Sequence, residues 1–153
     1  MEDIRGFIKI ADELYTSGQP TESQFANVHR LGVRLVLNLA MSESDYALRD
    51  ERATVESFGM DYVHIPVPFS SPTLEHFLQF EKELLTRKAV PVLVHCALNW
   101  RATSFAALFA ERHLGWTRAQ ADDLRGALWS PNEVWNAWAS SIRGTLPNQR
   151  ASS

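Results

Sequence analysis

The chain has 153 residues, 45% hydrophobic and 22% charged, with net charge -3 and a sequence pI of about 5.9, the profile of one soluble globular domain with room for a full core. The charge excludes the basic footprint of a nucleic-acid binder, and no run of about 18 apolar residues offers a membrane span. A single cysteine, Cys96, excludes an internal disulfide and most cysteine-based metal sites.

In chain order, Phe7–Ile10 and Leu14–Thr16 read as short strands. Thr21 with Gln24 three residues on is a capping box, and Phe25, Val28 and Leu31 give a helical stripe that Gly32 stops. Val33–Leu39 alternates towards a buried strand ending at Asn38, Tyr46–Phe58 reads as a polar-faced helix closed by Gly59, and Tyr62–Val67 is another strand. Leu74, Phe77, Leu78, Leu84 and Leu85 mark a helix, and Val90–Val94, short and β-branched, is the central strand. Ala102–His113 is apolar on nearly every side, as in a helix buried mid-domain. Thr117 with Gln120 opens the next helix. Ser130-Pro131-Asn132-Glu133 opens the last, read as cap, proline at the first position and box glutamate. Strands alternating with helices, then helices alone, predict an α/β fold with a central mixed, largely parallel sheet and helices on both faces. Residues 1–144 form the domain, and 145–153 read as a flexible tail. The charged start, Met-Glu-Asp-Ile-Arg-Gly, lacks the apolar core of a secretory signal. The expectation is a cytoplasmic protein with a reduced thiol, no metal and no cofactor.

Ligands of such sheets bind beyond the carboxyl ends of the strands, where Cys96 falls. A thiol between a buried strand and a helix N-terminus sits in a positive field that favours thiolate, the nucleophilic form. The loop Ala97-Leu98-Asn99-Trp100 and the guanidinium of Arg101 would hold a tetrahedral anion, phosphate or sulfate, against the sulfur. The bland alternative is a small buried thiol. His95 reads as support, ordering the loop through a backbone hydrogen bond. Trp100 either walls the pocket or packs on the last helices. If a backbone position needs positive φ, Asn99 is the least strained choice. Gln19, on an ordered turn between Gly18 and Pro20, either serves the site or only follows turn chemistry.

These residues resemble the protein tyrosine/dual-specificity phosphatase superfamily, and most closely the small bacterial dual-specificity-phosphatase-like domains related to those fused to β-lactamase-like hydrolases. The shared segments are Ser17-Gly18-Gln19-Pro20, the strand Gly32-Val33-Arg34-Leu35-Val36-Leu37-Asn38-Leu39, Ile65-Pro66-Val67 and the His95-Cys96 loop, spanning about residues 8 to 140. The resemblance implies the single-domain fold of that superfamily and hydrolysis of phosphate monoesters, with Cys96 as nucleophile, Arg101 as its partner and a phosphorylated protein or small molecule as substrate. Three departures stand out. The loop has four residues between Cys96 and Arg101 where the superfamily has five, and it lacks glycine. The hydroxyl residue that usually follows the arginine is displaced to Thr103. The segment Pro68-Phe69-Ser70-Ser71-Pro72-Thr73 has no carboxylate where an aspartate usually acts as general acid, leaving Glu75, Asp45 and Asp50 as candidates and slow catalysis as the expectation. A loop of this length also occurs in rhodaneses, so a sulfurtransferase is the runner-up. The third reading is a catalytically weak module that binds phosphate or a phosphoprotein.

Overall fold

The computed structural model describes residues 4–87 and 90–147. Five strands, β1 (Ile8–Ala11), β2 (Leu14–Ser17), β3 (Leu35–Asn38), β4 (Asp61–His64) and β5 (Val92–His95), form one sheet in the order β1-β2-β5-β3-β4. The hairpin β1–β2 is antiparallel, and every other pairing is parallel. Six helices complete the domain: α1 (Gln24–Arg30), α2 (Glu51–Ser57), α3 (Leu74–Thr86), α4 (Trp100–His113), α5 (Arg118–Arg125) and α6 (Glu133–Thr145). This is the mixed, mostly parallel α/β sheet that the sequence predicts.

Alternation along the strands divides the interior in two. Leu35, Leu37, Val92 and Val94 join a core with Phe77 and Phe80 of α3, Phe105 and Leu108 of α4, and Trp135 and Trp138 of α6. Val36 and Leu93, pointing the other way, join Phe25 and Val28 of α1 and Val55 of α2. The parallel register then sets Ser17, His95, Asn38 and His64 side by side in the last row of four adjacent strands. By the same alternation that polar row belongs to the α1/α2 face. α4 runs through the middle, buried at every position from Arg101 to Arg112.

Caps explain where boundaries differ from expectation. The helix read from Tyr46 begins only at Glu51, because the Asp50 side chain accepts from Ala53 N and fixes the first turn there. In α6 the cap is Asn132, accepting from Trp135 N, so Ser130 and Pro131 lie outside the helix. α4 starts two residues before Ala102. The Thr21–Gln24 box forms in both directions, at 2.9 and 3.2 Å. At the C-terminus, α6 ends at Thr145, Leu146 packs against the larger core and the Pro147 carbonyl accepts from Arg112. Positions 148–153 of the expected tail lie outside the described residues.

Candidate active site

The loop after β5 is braced from one side by the N-terminal segment. Cys96 N donates to Ser17 O at 3.3 Å, and Gln19 N donates to Ala97 O at 3.0 Å. The approach at Gly18 is so close that a Cβ there would lie 2.6 Å from Ala97 O, which explains the glycine. Asn99 is the one non-glycine residue at positive φ among those described, at 70°. Its Nδ2 donates to Gly6 O at 2.6 Å and Thr16 Oγ1 at 3.0 Å. Asparagine thus supplies both the left-handed turn and a bolt to β2.

Above Cys96 is a pocket of about 180 Å³ lined by Phe69, Cys96, Ala97, Leu98, Trp100 and Arg101. The thiol lies buried on its floor. Arg101 Nη1 donates to Val67 O at 2.8 Å, which holds the guanidinium at the wall. Asn99 gives α4 no side-chain cap, so the helix's first amides are left for an anion above the sulfur. Trp100 both walls the pocket and packs, stacking on Trp129 with centroids 5.1 Å apart and planes 3° from parallel. The Phe69 segment is fixed from α6: Trp135 Nε1 donates to Phe69 O at 2.8 Å and Trp138 Nε1 to Thr73 O at 3.1 Å.

Behind the loop is a buried polar cluster. His95 Nε2 sits 2.6 Å from Glu51 Oε2, and His95 Nδ1 sits 3.2 Å from Cys96 O. Gln19 Nε2 donates to Glu51 Oε1 at 2.8 Å. Burial alone would raise the Glu51 pKa. The His95 charge and the hydrogen bonds from His95 and Gln19 outweigh it and hold the carboxyl below the ordinary carboxylate value. Tyr62, whose hydroxyl accepts from Asn38 Nδ2, is pushed up to about 12 by burial and the nearby negative charge of Glu51.

Of the sequence-predicted residues, Cys96, Ala97, Leu98, Trp100 and Arg101 meet in the pocket. Asn99 does not line it, because its left-handed backbone turns the side chain to Gly6 and Thr16. Thr103 is also elsewhere: its hydroxyl donates to Asn99 O at 2.8 Å, closing the first turn of α4. Gln19 and His95 are joined through Glu51. The three candidate acids do not line the pocket: Glu75 and Asp45 are exposed, and Asp50 caps α2 and lines a separate cleft with Tyr62 and His64. Among the described residues, no group of three or more metal-ligating side chains occurs.

Sequence reasoning missed Phe69 and Glu51. In the polar-faced helix read from Tyr46, an acidic residue such as Glu51 reads as solvated. The signal that pointed to a partner was Gln19 and His95 themselves, two polar side chains on buried backbone that require one.

No family model matches the chain. A solved DUF442 protein of Shewanella putrefaciens CN-32, provisionally named a phosphatase, is 33% identical, with 94% of each chain covered and a TM-score of 0.86. TpbA of P. aeruginosa, solved in complex with phosphotyrosine, shares the fold at 21% identity, covering 95% of this chain and 88% of its own, with a TM-score of 0.71. The β-lactamase hydrolase-like protein of Xylella fastidiosa is 33% identical over 104 residues, which are 66% of this chain and 24% of that protein. The chain therefore spans about a quarter of the length of its curated relatives, at 24%. On the strength of the full-length likeness, the chain belongs to the DUF442 family, and it shares the fold of protein tyrosine and dual-specificity phosphatases.

Proposed function

We propose that the protein is a cysteine-dependent phosphatase that hydrolyses phosphate monoesters, aryl phosphates such as phosphotyrosine foremost, through a phosphocysteine intermediate. The observation that carries this reading is one pocket with Cys96 on its floor, Arg101 in its wall and the uncapped start of α4 beside them. The Cys96 thiolate attacks phosphorus, the bond to the leaving oxygen breaks and that oxygen keeps the electron pair. Water then attacks the same phosphorus, the S–P bond breaks, and phosphate leaves with thiolate regenerated. Arg101 and the loop amides hold the non-bridging oxygens throughout, a task that suits the bidentate guanidinium fork. Phe69, Leu98 and Trp100 give the pocket apolar walls that suit an aromatic ring. A reducing, cytoplasmic setting suits the thiol, and free phosphate or sulfate would occupy the same cradle.

Among the described residues, no carboxylate lines the pocket. Loss of a general acid costs about 10²–10⁴-fold in rate, and that cost falls on leaving groups that need a proton. The expected result is slow turnover of p-nitrophenyl phosphate, far slower turnover of phosphoserine, and loss of both in Cys96→Ser. Sulfur transfer from thiosulfate in place of phosphate release would establish the sulfurtransferase. Tight phosphate binding with no turnover of either substrate would establish a binding module. Efficient phosphoserine hydrolysis that survives Glu75→Gln, Asp45→Asn and Asp50→Asn together would overturn this account of the leaving group.

A further inference from the structure

Glu51 opens α2 and is buried, with 7% of its surface exposed. Its carboxylate is used twice: Oε2 by His95 Nε2 at 2.6 Å and Oε1 by Gln19 Nε2 at 2.8 Å. Each partner then touches the nucleophile loop. His95 Nδ1 meets Cys96 O at 3.2 Å, and Gln19 N donates to Ala97 O at 3.0 Å. A carbonyl oxygen only accepts, and an ionised carboxylate only accepts. Both contacts are hydrogen bonds at once only when each ring nitrogen of His95 carries a proton. In that form an imidazolium is buried one residue from the sulfur, backed by a carboxylate 44 residues away in sequence.

A buried ion pair is a poor device for stability, since well-packed apolar residues do as well. Its position behind the nucleophile gives it another use. In a low-dielectric interior a positive charge beside Cys96 favours the thiolate, and the same carboxylate fixes the two carbonyls that flank the start of the loop. We propose that Glu51 is a positioning residue for the phosphatase reaction: it holds His95 doubly protonated against the Cys96 carbonyl and ties Gln19 to the loop, so setting both the charge and the geometry of the nucleophile. The role rests on Cys96 being the nucleophile, as proposed above. It also gives Gln19, in the Ser-Gly-Gln-Pro turn, a task that turn chemistry alone does not.

The groups that face or electrostatically sense Glu51 are His95 of β5, Gln19 of the turn after β2, and His64 and Tyr62 of β4. Asn38 of β3 and Arg52 of α2 act on Tyr62. Among the described residues, His95 and Gln19 make the two short hydrogen bonds to the carboxylate, Tyr62 adds a weaker one, and His64 acts through charge alone; of these, His95 and Gln19 lead to the loop.

The test is alkylation of Cys96 by iodoacetamide, which needs no turnover. At about pH 6, Glu51→Gln reacts about tenfold more slowly than wild type, whereas at about pH 9, where any thiol is largely ionised, the two agree. Glu51→Asp recovers part of the loss. Phosphate affinity by calorimetry falls in the same variants. An unchanged ratio of rates at the two pH values in folded Glu51→Gln overturns the proposal. If Glu51→Gln does not fold, nitrogen-15 NMR of the wild-type imidazole decides: two ring N–H groups on His95 near pH 7 support the proposal, and a single one overturns it. A wild type that turns over no phosphate ester but shows the alkylation effect would sink the phosphatase reading and leave the positioning role standing.

Discussion

Two buried carboxylates in this molecule each hold a histidine, and they do different work. Glu81 of α3 takes Arg112 Nε at 2.6 Å and His113 Nε2 at 2.7 Å, both from the last turn of α4. Arg112 reaches on to Pro147 O, and the residue before it, Glu111, pairs with Arg143 of α6 at 2.6 Å. This end of the domain is a clamp among helices. Among the described residues, no arginine is hydrogen-bonded to Glu51. Its partners are an amide and an imidazole, and both lead to the loop around Cys96. A guanidinium keeps its charge at any accessible pH and gives a fixed tie. An imidazole can give up its proton, so the second pair can respond to the chemistry beside it.

Acid breaks both pairs at once and has the largest effect. Burial pushes Glu51, Glu81 and Asp122 upwards, but their partners outweigh it: His95 and Gln19 for the first, Arg112 and His113 for the second, Arg143 and Arg125 for the third. All three titrate below their ordinary values of 4.5, 4.5 and 3.8. The folded state therefore binds fewer protons than the unfolded chain in this range. The stabilisation is fully present above the ordinary values and is lost as pH falls through the folded ones. Urea midpoints should hold from about pH 7 to about pH 5 and fall steeply towards about pH 3. A flat profile would mean the pairs contribute nothing to folding.

Breaking the clamp alone comes next. Glu81→Ala leaves Arg112 buried without its carboxylate, at a cost of about 3–5 kcal/mol. The melting temperature should fall by roughly 10 °C. Turnover per folded molecule should stay at the wild-type level, because nothing in the clamp reaches the pocket. A drop in turnover at full folding would erase the contrast between the two pairs.

Gln19→Ala sharpens the contrast from the other side. It removes a hydrogen bond to a charged group, worth about 1.5–3 kcal/mol, and leaves Glu51 with His95 alone. The expected outcome is reduced phosphate affinity and turnover, accompanied by a smaller loss of melting temperature than Glu81→Ala causes. A variant that melts earlier but binds and turns over normally would return Gln19 to turn chemistry.

The contrast also marks what sequence makes legible. The sheet was readable because alternation in stretches such as Val33–Leu39 answers to one physical cause, burial on two faces, and the Thr21 and Thr117 boxes formed as their spacing predicts. The Cys96 loop was readable because strand, thiol, arginine and helix are contiguous. Glu51 was not, since its burial depends on the register that puts His95 and Asn38 in the last row of the sheet, a fact about pairing rather than about neighbours in the chain. Asn99 was half readable: its backbone sign followed from the lack of glycine, but its side-chain partners lie 93 and 83 residues away. The start of α2 was missed because Asp50 competes as a cap with the apparent helical pattern before it.

That cap supports the smallest predicted effect and separates two roles for one residue. Asp50 accepts from Ala53 N at 3.1 Å and so fixes the turn that carries Glu51. Asparagine caps about as well as aspartate, whereas alanine loses about 1 kcal/mol. Asp50→Asn should therefore leave both stability and the aryl-to-alkyl ratio of turnover near wild type. Asp50→Ala should cost about 1 kcal/mol and weaken phosphate binding slightly, by loosening Glu51 rather than by removing a proton donor. If Asp50 instead supplied the leaving-group proton, Asp50→Asn would keep the stability yet abolish phosphoserine turnover while sparing p-nitrophenyl phosphate. Melting curves and two substrates on two variants thus distinguish a residue that shapes the helix under the site from one that takes part in the reaction.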